Sequence, residues 1–314
     1  MDHQTEVRAA AVPTEAKPWL AQGPVLGMIC ILAATLCFSG GNALIRGLSG
    51  SLPPVEVAFF RSVFGFSMQV PLLFWFGLAS LKTERLGLHT ARGLLHVVSM
   101  LMWFVALAVV PLAEAAALEF AAPILTTIIA VMFLGEAIHA RRMIALAVGI
   151  VGVLMVVQPG FAQVSWGQVV ILVSVALWAG CQLIIRELGK TESSFAQGFY
   201  TVAIFVPVTA IAAVPVWVWP TTLDLALTFL LALTSTVGIW LYGEAFRRAE
   251  MTAILPLEAT KLLWGILFGL AFFAEVPDFL KMLGGCVIFA AGAYITIREA
   301  QLARRTITAP VTGE

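Results

Sequence analysis

Two stretches of this 314-residue chain repeat each other at about half its length, and each holds five apolar segments. Gly27, Asn42 and Arg46 recur 140 positions later as Gly167, Gln182 and Arg186. Leu118, Glu119, Phe133, Glu136, Met143 and Val148 recur 139 positions later as Leu257, Glu258, Phe272, Glu275, Met282 and Val287, and Arg142 recurs as Lys281. Shared hydrophobicity does not produce a near-constant offset that carries charged residues with it. Because five is odd, two successive copies cross a membrane in opposite senses. The second half must lie upside down relative to the first, with a pseudo-two-fold axis in the membrane plane.

Composition requires that membrane. At 61% hydrophobic and 11% charged residues, with mean hydropathy +0.98, the chain is far outside the range of soluble domains. A spanning helix needs ~20 mostly apolar residues. Ten candidates lie at roughly 24–45, 54–76, 91–110, 113–135, 142–158, 166–186, 195–217, 223–246, 252–274 and 279–298. The apolar runs are continuous and do not alternate at period two, which excludes a barrel. Helices then remain as the way to satisfy every backbone group in lipid. The predicted fold is an all-α membrane protein of ten transmembrane helices, arranged as two inverted five-helix repeats. Residues 24–160 form the first repeat and 161–298 the second, between polar tails at 1–23 and 299–314. The first tail, with Asp2, Glu6, Arg8, Glu15 and Lys17, has no short basic region leading into a cleavable apolar core. No signal peptide is expected.

With the N-terminus in the cytoplasm, 14 of the 18 Lys and Arg residues fall on the cytoplasmic side. Only Arg46 and Lys281 fall on the other, and Arg61 and Lys261 stay within the membrane. The positive-inside rule therefore predicts an inner-membrane protein with both termini cytoplasmic. Cys30, Cys37, Cys181 and Cys286 lie in apolar spans without paired spacing and read as packing residues. No nucleotide-binding loop, metal cluster or nucleophile triad can be assembled, so no cofactor, ATP or nucleic acid is expected.

The run from Pro111 to Pro159 contains Pro-Leu-Ala-Glu-Ala, Phe-Leu-Gly-Glu ending at Glu136, Arg141-Arg142 and a terminal Gln158-Pro159-Gly160. It resembles the first repeat of an EamA-type domain. The run Pro256 to Trp264, followed by Phe272-Phe-Ala-Glu275-Val-Pro277, resembles the second. Together with Phe59-Phe60-Arg61-Ser62, the resemblance to the ten-span branch of the drug/metabolite transporter superfamily covers nearly all of residues 24–298. It implies secondary transport of a small molecule and leaves the substrate open, because that superfamily carries many solute classes on one scaffold.

Ionisable residues inside a span cost ~2.5–3.5 kcal/mol each near its centre, so they should face partners or a wet cavity. Four qualify: Arg61, Glu119, Glu258 and Lys261. Arg61 and Glu119 lie about seven and six residues in from the outer ends of their spans, or ~10 Å deep. Glu119 is thus the expected counter-ion of Arg61. Glu258 and Lys261, three residues apart, share a helix face and could neutralise each other. Glu119 and Glu258 are expected on opposite faces of one central cavity, either as candidate proton carriers or as partners in helix-to-helix pairs. Lys261 has no repeat counterpart, because its mate is Ala122.

Glu136, Glu275, Arg46 and Arg186 sit at span ends, where capping and topology explain them. Asn42 and Gln182, each one turn before an arginine, either bond across helices or meet substrate. Trp103 and its mate Tyr242 keep aromatic character at one place in both halves and are candidates for stacking. Trp178, Tyr200 and Trp264 are also placed at cavity depth, and His96 reads as a packed residue or a proton acceptor. Pro123, Pro207 and Pro256 mark candidate bends. Gly149, Gly152, Gly265, Gly269, Gly284 and Gly285 offer thin surfaces for close helix contact, and together with the family resemblance they place the fifth and tenth spans at a seam between the halves.

The expected function is alternating-access transport of a small polar organic metabolite, zwitterionic or carboxylate-bearing. Protons are the candidate coupling ion, and the protein is a monomer or a homodimer in the lipid bilayer. A multidrug or organic-cation exporter is the main alternative, and a membrane sensor or assembly protein the alternative outside transport. An intramembrane enzyme built on His96 and Ser99 has too thin a basis.

Overall fold

The computed structural model describes residues 23–77, 81–134, 140–159 and 165–308. Among them the extended elements are α-helices. Eight are continuous: α1 (Gly23–Leu48), α2 (Pro54–Phe76), α3 (Leu86–Leu107), α6 (Ala140–Val157), α7 (Trp166–Leu188), α8 (Ser194–Ala213), α9 (Thr222–Arg248) and α12 (Phe279–Thr308). The fourth and ninth spans are each two half-helices, α4 (Leu112–Glu119) with α5 (Ala122–Leu134), and α10 (Met251–Glu258) with α11 (Thr260–Phe273). Counting each pair once, nine runs are long and apolar enough to cross a membrane, and α6 supplies a shorter apolar helix over Met143–Val157. The fold is that of an all-α membrane protein. Large side chains such as Phe74, Trp75, Trp219 and Trp240 are more than three-quarters exposed on its outside, which suits lipid and not water.

Bends were expected in the fourth and ninth spans at Pro123 and Pro256, and both spans are broken nearby, directly after the repeat-related acids Glu119 and Glu258. Pro123 cannot donate to the Glu119 carbonyl and its ring crowds that group. The chain tightens there, with Ala121 N–H donating to the Leu118 carbonyl at 3.0 Å. At the second break Ala259 N–H donates to the Pro256 carbonyl at 3.3 Å. Pro207 behaves differently, because α8 runs through it unbroken. Elsewhere local chemistry starts the helices. Ser165 with Gln168, and Thr221 with Asp224, form reciprocal capping boxes for α7 and α9, and Ser193 caps α8.

Helix pairings come in related sets. α1 packs on α9 as α3 packs on α7; α1 on α11 as α5 on α7; α2 on α9 as α3 on α8. The contact points repeat too. A Cβ added at Gly27 would meet the Ala249 Cβ at 2.8 Å, and one at its mate Gly167 would meet a Val110 methyl at 2.6 Å. The self-related pairs α2–α8 and α6–α12 close the bundle. At α6–α12 the backbones touch: a Cβ at Gly152 would lie 3.0 Å from the Gly284 carbonyl, and one at Gly284 2.8 Å from the Gly152 carbonyl. Gly265 packs similarly on α4, at the Leu112 carbonyl and Ala116.

The bundle has two distinct ends. The basic end carries Lys190, Arg247, Arg248 and Arg298, near the start of α1 and the finish of α9. The far end carries Arg46, Glu275 and Lys281.

Candidate functional site

A cavity of about 480 Å³ lies between the two halves. The eight residues singled out as a substrate site, Asn42, Arg61, Trp103, Glu119, Gln182, Tyr242, Glu258 and Lys261, all line it. The broken spans explain part of this convergence. Glu119 ends α4, Glu258 ends α10, and Lys261 stands in the first turn of α11. Each break lets a half-helix end at cavity depth with its last acid turned inward. The walls continue through Phe246, Met251 and Thr296 toward the basic end.

The charge pairing differs from the sequence expectation. Glu119 does not meet Arg61; its Oε1 accepts from Lys261 Nζ at 3.0 Å, joining the first half to the second. Nor do Glu258 and Lys261 form a close pair, although Lys261 lies within electrostatic reach of both acids. The reason is the two-fold arrangement. Positions 119 and 258 are related by the axis, so residues one turn beyond either one face the other across it. Lys261 ammonium also lies 5.5 Å from the centre of the Phe38 ring, a favourable cation–π geometry. Tyr242 sits beside Glu258 and packs against Phe38 and Phe246.

Arg61 enters from another wall. Its Nη1 donates to the Met100 thioether at 3.1 Å, and among the described residues no carboxylate pairs with it. Beside it His96 is held between Trp178 and Phe205, with ring centroids 4.5 and 4.9 Å away, and its Nδ1 is buried without a hydrogen-bond partner. Ser99 and Ser174 donate to each other's backbone carbonyls at 2.8 and 2.7 Å, fixing α3 to α7 along this wall. Trp103 Nε1 donates to Asn42 Oδ1 at 3.2 Å, so the Asn42 oxygen orients the indole while its amide N–H groups stay available. Gln182, the repeat mate of Asn42, is exposed to the cavity.

Of the other aromatic residues placed at this depth, Trp178 lines the cavity. Tyr200 instead stacks on His89 and donates to the Leu81 carbonyl near the basic end, and Trp264 donates to Thr35 between α11 and α1.

The far end is crossed by a second set of ion pairs. Arg46 pairs with Glu275 at 2.6 Å and donates to the carbonyls of Val110 and Leu107 at 2.8 and 3.1 Å. Glu275 also accepts from the Leu112 N–H at 2.9 Å. It thereby caps α4, where an anion opposes the positive end of the helix dipole. Lys281 pairs with Glu114 at 2.5 Å, and Gln168 donates to the same carboxylate at 2.8 Å. In the sequence Glu114 stood only as part of the Pro-Leu-Ala-Glu-Ala motif and was given no role. Its position in the first turn of a half-helix, opposite a lysine of the other repeat, is visible only once the halves are docked. Glu136 lies outside the described residues.

The EamA-like transporter family matches residues 25–158. The pseudopaline exporter of Pseudomonas aeruginosa is 30% identical over 271 residues, which span 84% of this chain and 94% of that one. An S-adenosylmethionine uptake transporter of Rickettsia bellii is 28% identical over 87% of this chain and 94% of its own. A riboflavin transporter of Rhizobium johnstonii is 28% identical over 90% and 94%. A solved crystal structure shares the fold at TM-score 0.56 and 16% identity, over 92% of this chain and 99% of that one. A helical bundle with a polar cavity between two halves defines a multi-pass membrane protein of the transporter class. The chain belongs to the EamA-like transporter family.

Proposed function

We propose that the protein is a secondary transporter of a small organic metabolite carrying both a carboxylate and an amine. One observation carries this reading: a single cavity presents Arg61 and Glu258, neither of which forms an ion pair among the described residues. A guanidinium in a desolvated wall recognises a carboxylate bidentately. A carboxylate beside a tyrosine hydroxyl suits an ammonium or other organic cation. Trp103, Tyr242 and Trp178 supply flat apolar surface for the rest of the solute, and a volume of about 480 Å³ fits a molecule of nucleoside or modified amino-acid size. S-adenosylmethionine, named for the Rickettsia relative, has this combination of an amino-acid head and an aromatic ring.

With the basic end in the cytoplasm, this state is open toward the cell interior and sealed toward the outside by Arg46–Glu275 and Lys281–Glu114.

Thermal shift of the purified protein with L-methionine, S-adenosylmethionine, their methyl esters and tetraphenylphosphonium tests the assignment. The free acids should stabilise the wild type, and Arg61→Gln should remove their advantage over the esters. Stabilisation by tetraphenylphosphonium with no response to either amino acid would overturn it in favour of a cation exporter.

A further inference from the structure

The cavity wall holds two cations, Arg61 and Lys261, against two carboxylates, Glu119 and Glu258. The other titratable groups lining it are His96, packed among rings without a hydrogen bond to Nδ1, and the phenol of Tyr242. The balance depends on two residues that break the repeat, Arg61, which falls at Tyr200 or Thr201 in the second half, and Lys261. Glu119 and Glu258 are mates, whereas Lys261 corresponds to Ala122. Without the lysine, Arg61 against the two carboxylates would leave one surplus negative charge.

We propose that Lys261 is a tethered stand-in for a transported cation, which keeps the empty cavity electrically neutral so that the unloaded carrier can change state without a proton or counter-solute. In alternating access the cavity is closed at both ends at some point, and a net charge held there without water is strongly disfavoured. Lys261 neutralises Glu119 at 3.0 Å in the present state. It is also three residues from Glu258 and within its electrostatic reach, so its charge counts against both acids. A zwitterionic solute leaves the count unchanged, with its carboxylate on Arg61 and its amine on Glu258. The inference rests on the transport reading but not on the identity of the solute.

Electron–electron resonance distances in solute-free proteoliposomes test it, with one pair of spin labels at Glu84 and Glu250 on the basic end and another at Gly50 and Val276 on the far end. The wild type should show two distance populations at each end. Lys261→Met leaves one surplus negative charge and Glu119→Gln one surplus positive charge, and each should reduce one population at least tenfold. The double variant Lys261→Met with Glu119→Gln lacks the salt bridge altogether but is neutral again, and should recover both populations. Lys261→Arg should keep both and confirms that the site tolerates substitution. A single population in the wild type, unchanged populations in the single variants, or a double variant no better than either single one would overturn the proposal. Because no solute is added, a wrong substrate class cannot produce any of these results.

Discussion

Two residues at the far end show how closely side-chain identity and backbone shape are linked here. Ala274, which ends α11, adopts φ +54°, a left-handed conformation that costs a residue with a Cβ roughly 1–2 kcal/mol. Its repeat mate is Gly135, the residue type that accepts this geometry without strain. Ala274→Gly should therefore stabilise the protein by about 1 kcal/mol, read as a higher melting temperature in detergent. The turn exists to aim Glu275 back at Arg46 and at the first N–H of α4. At cavity depth, Asn42→Ala removes the acceptor that orients the Trp103 indole. Loss of one neutral hydrogen bond is worth about 1 kcal/mol. Solute affinity in a binding titration should fall several-fold while the fold persists, and an unchanged affinity would show that Trp103 is not a recognition surface.

Among the elements, the two broken spans and the α6–α12 seam make contrasting demands. Half-helix α4 starts at the far end under the cap of Glu275 and stops at Glu119 in the cavity, so one short element links the far-end closure to the candidate site. Glu275→Ala removes that cap and the partner of Arg46. It should weaken the far-end closure and raise labelling, from that side, of a cysteine introduced at Ser235 in the cavity wall, in a background without native cysteines. Unaltered labelling would mean that Arg46, Lys281 and Glu114 hold the end closed by themselves. At the seam, any side chain at Gly152 or Gly284 meets backbone of the facing helix within about 3 Å. Gly284→Leu should abolish the folded protein by overpacking. Gly65→Ala in α2, with nothing within 4 Å of the added Cβ, should be neutral or stabilising by up to ~1 kcal/mol. Fluorescence-detected size exclusion separates the two outcomes.

For the molecule as a whole, apolar run length and the repeat offset already specify ten spans and a two-fold relation, because both are one-dimensional properties of the chain. Six of the eight cavity residues were legible for a related reason: charge and amides in an apolar span are costly, so their presence marks where lipid is absent; Trp103 and Tyr242 were legible through aromatic character kept in both halves. Their pairing was not legible. Depth along a helix matched Arg61 with Glu119, but depth says nothing about which helices are neighbours. Docking across the axis gives Glu119 to Lys261 and leaves Arg61 on the Met100 thioether, without an acid among the described residues. The helix breaks were legible in part: Pro123 and Pro256 marked bends, but a missing hydrogen bond alone does not separate them from Pro207, through which α8 runs unbroken. On the proposed reading, a cavity with two basic and two acidic residues, in which Arg61 and Glu258 form no ion pair among the described residues, should act on a solute that carries both charges. Untargeted mass spectrometry of medium and cytoplasm, comparing cells expressing the wild type with cells expressing Glu258→Gln at equal membrane levels, measures this directly. The wild type alone should shift between compartments a metabolite bearing both a carboxylate and an amine. A shifted solute lacking either group, or an equal shift by Glu258→Gln, would contradict the account.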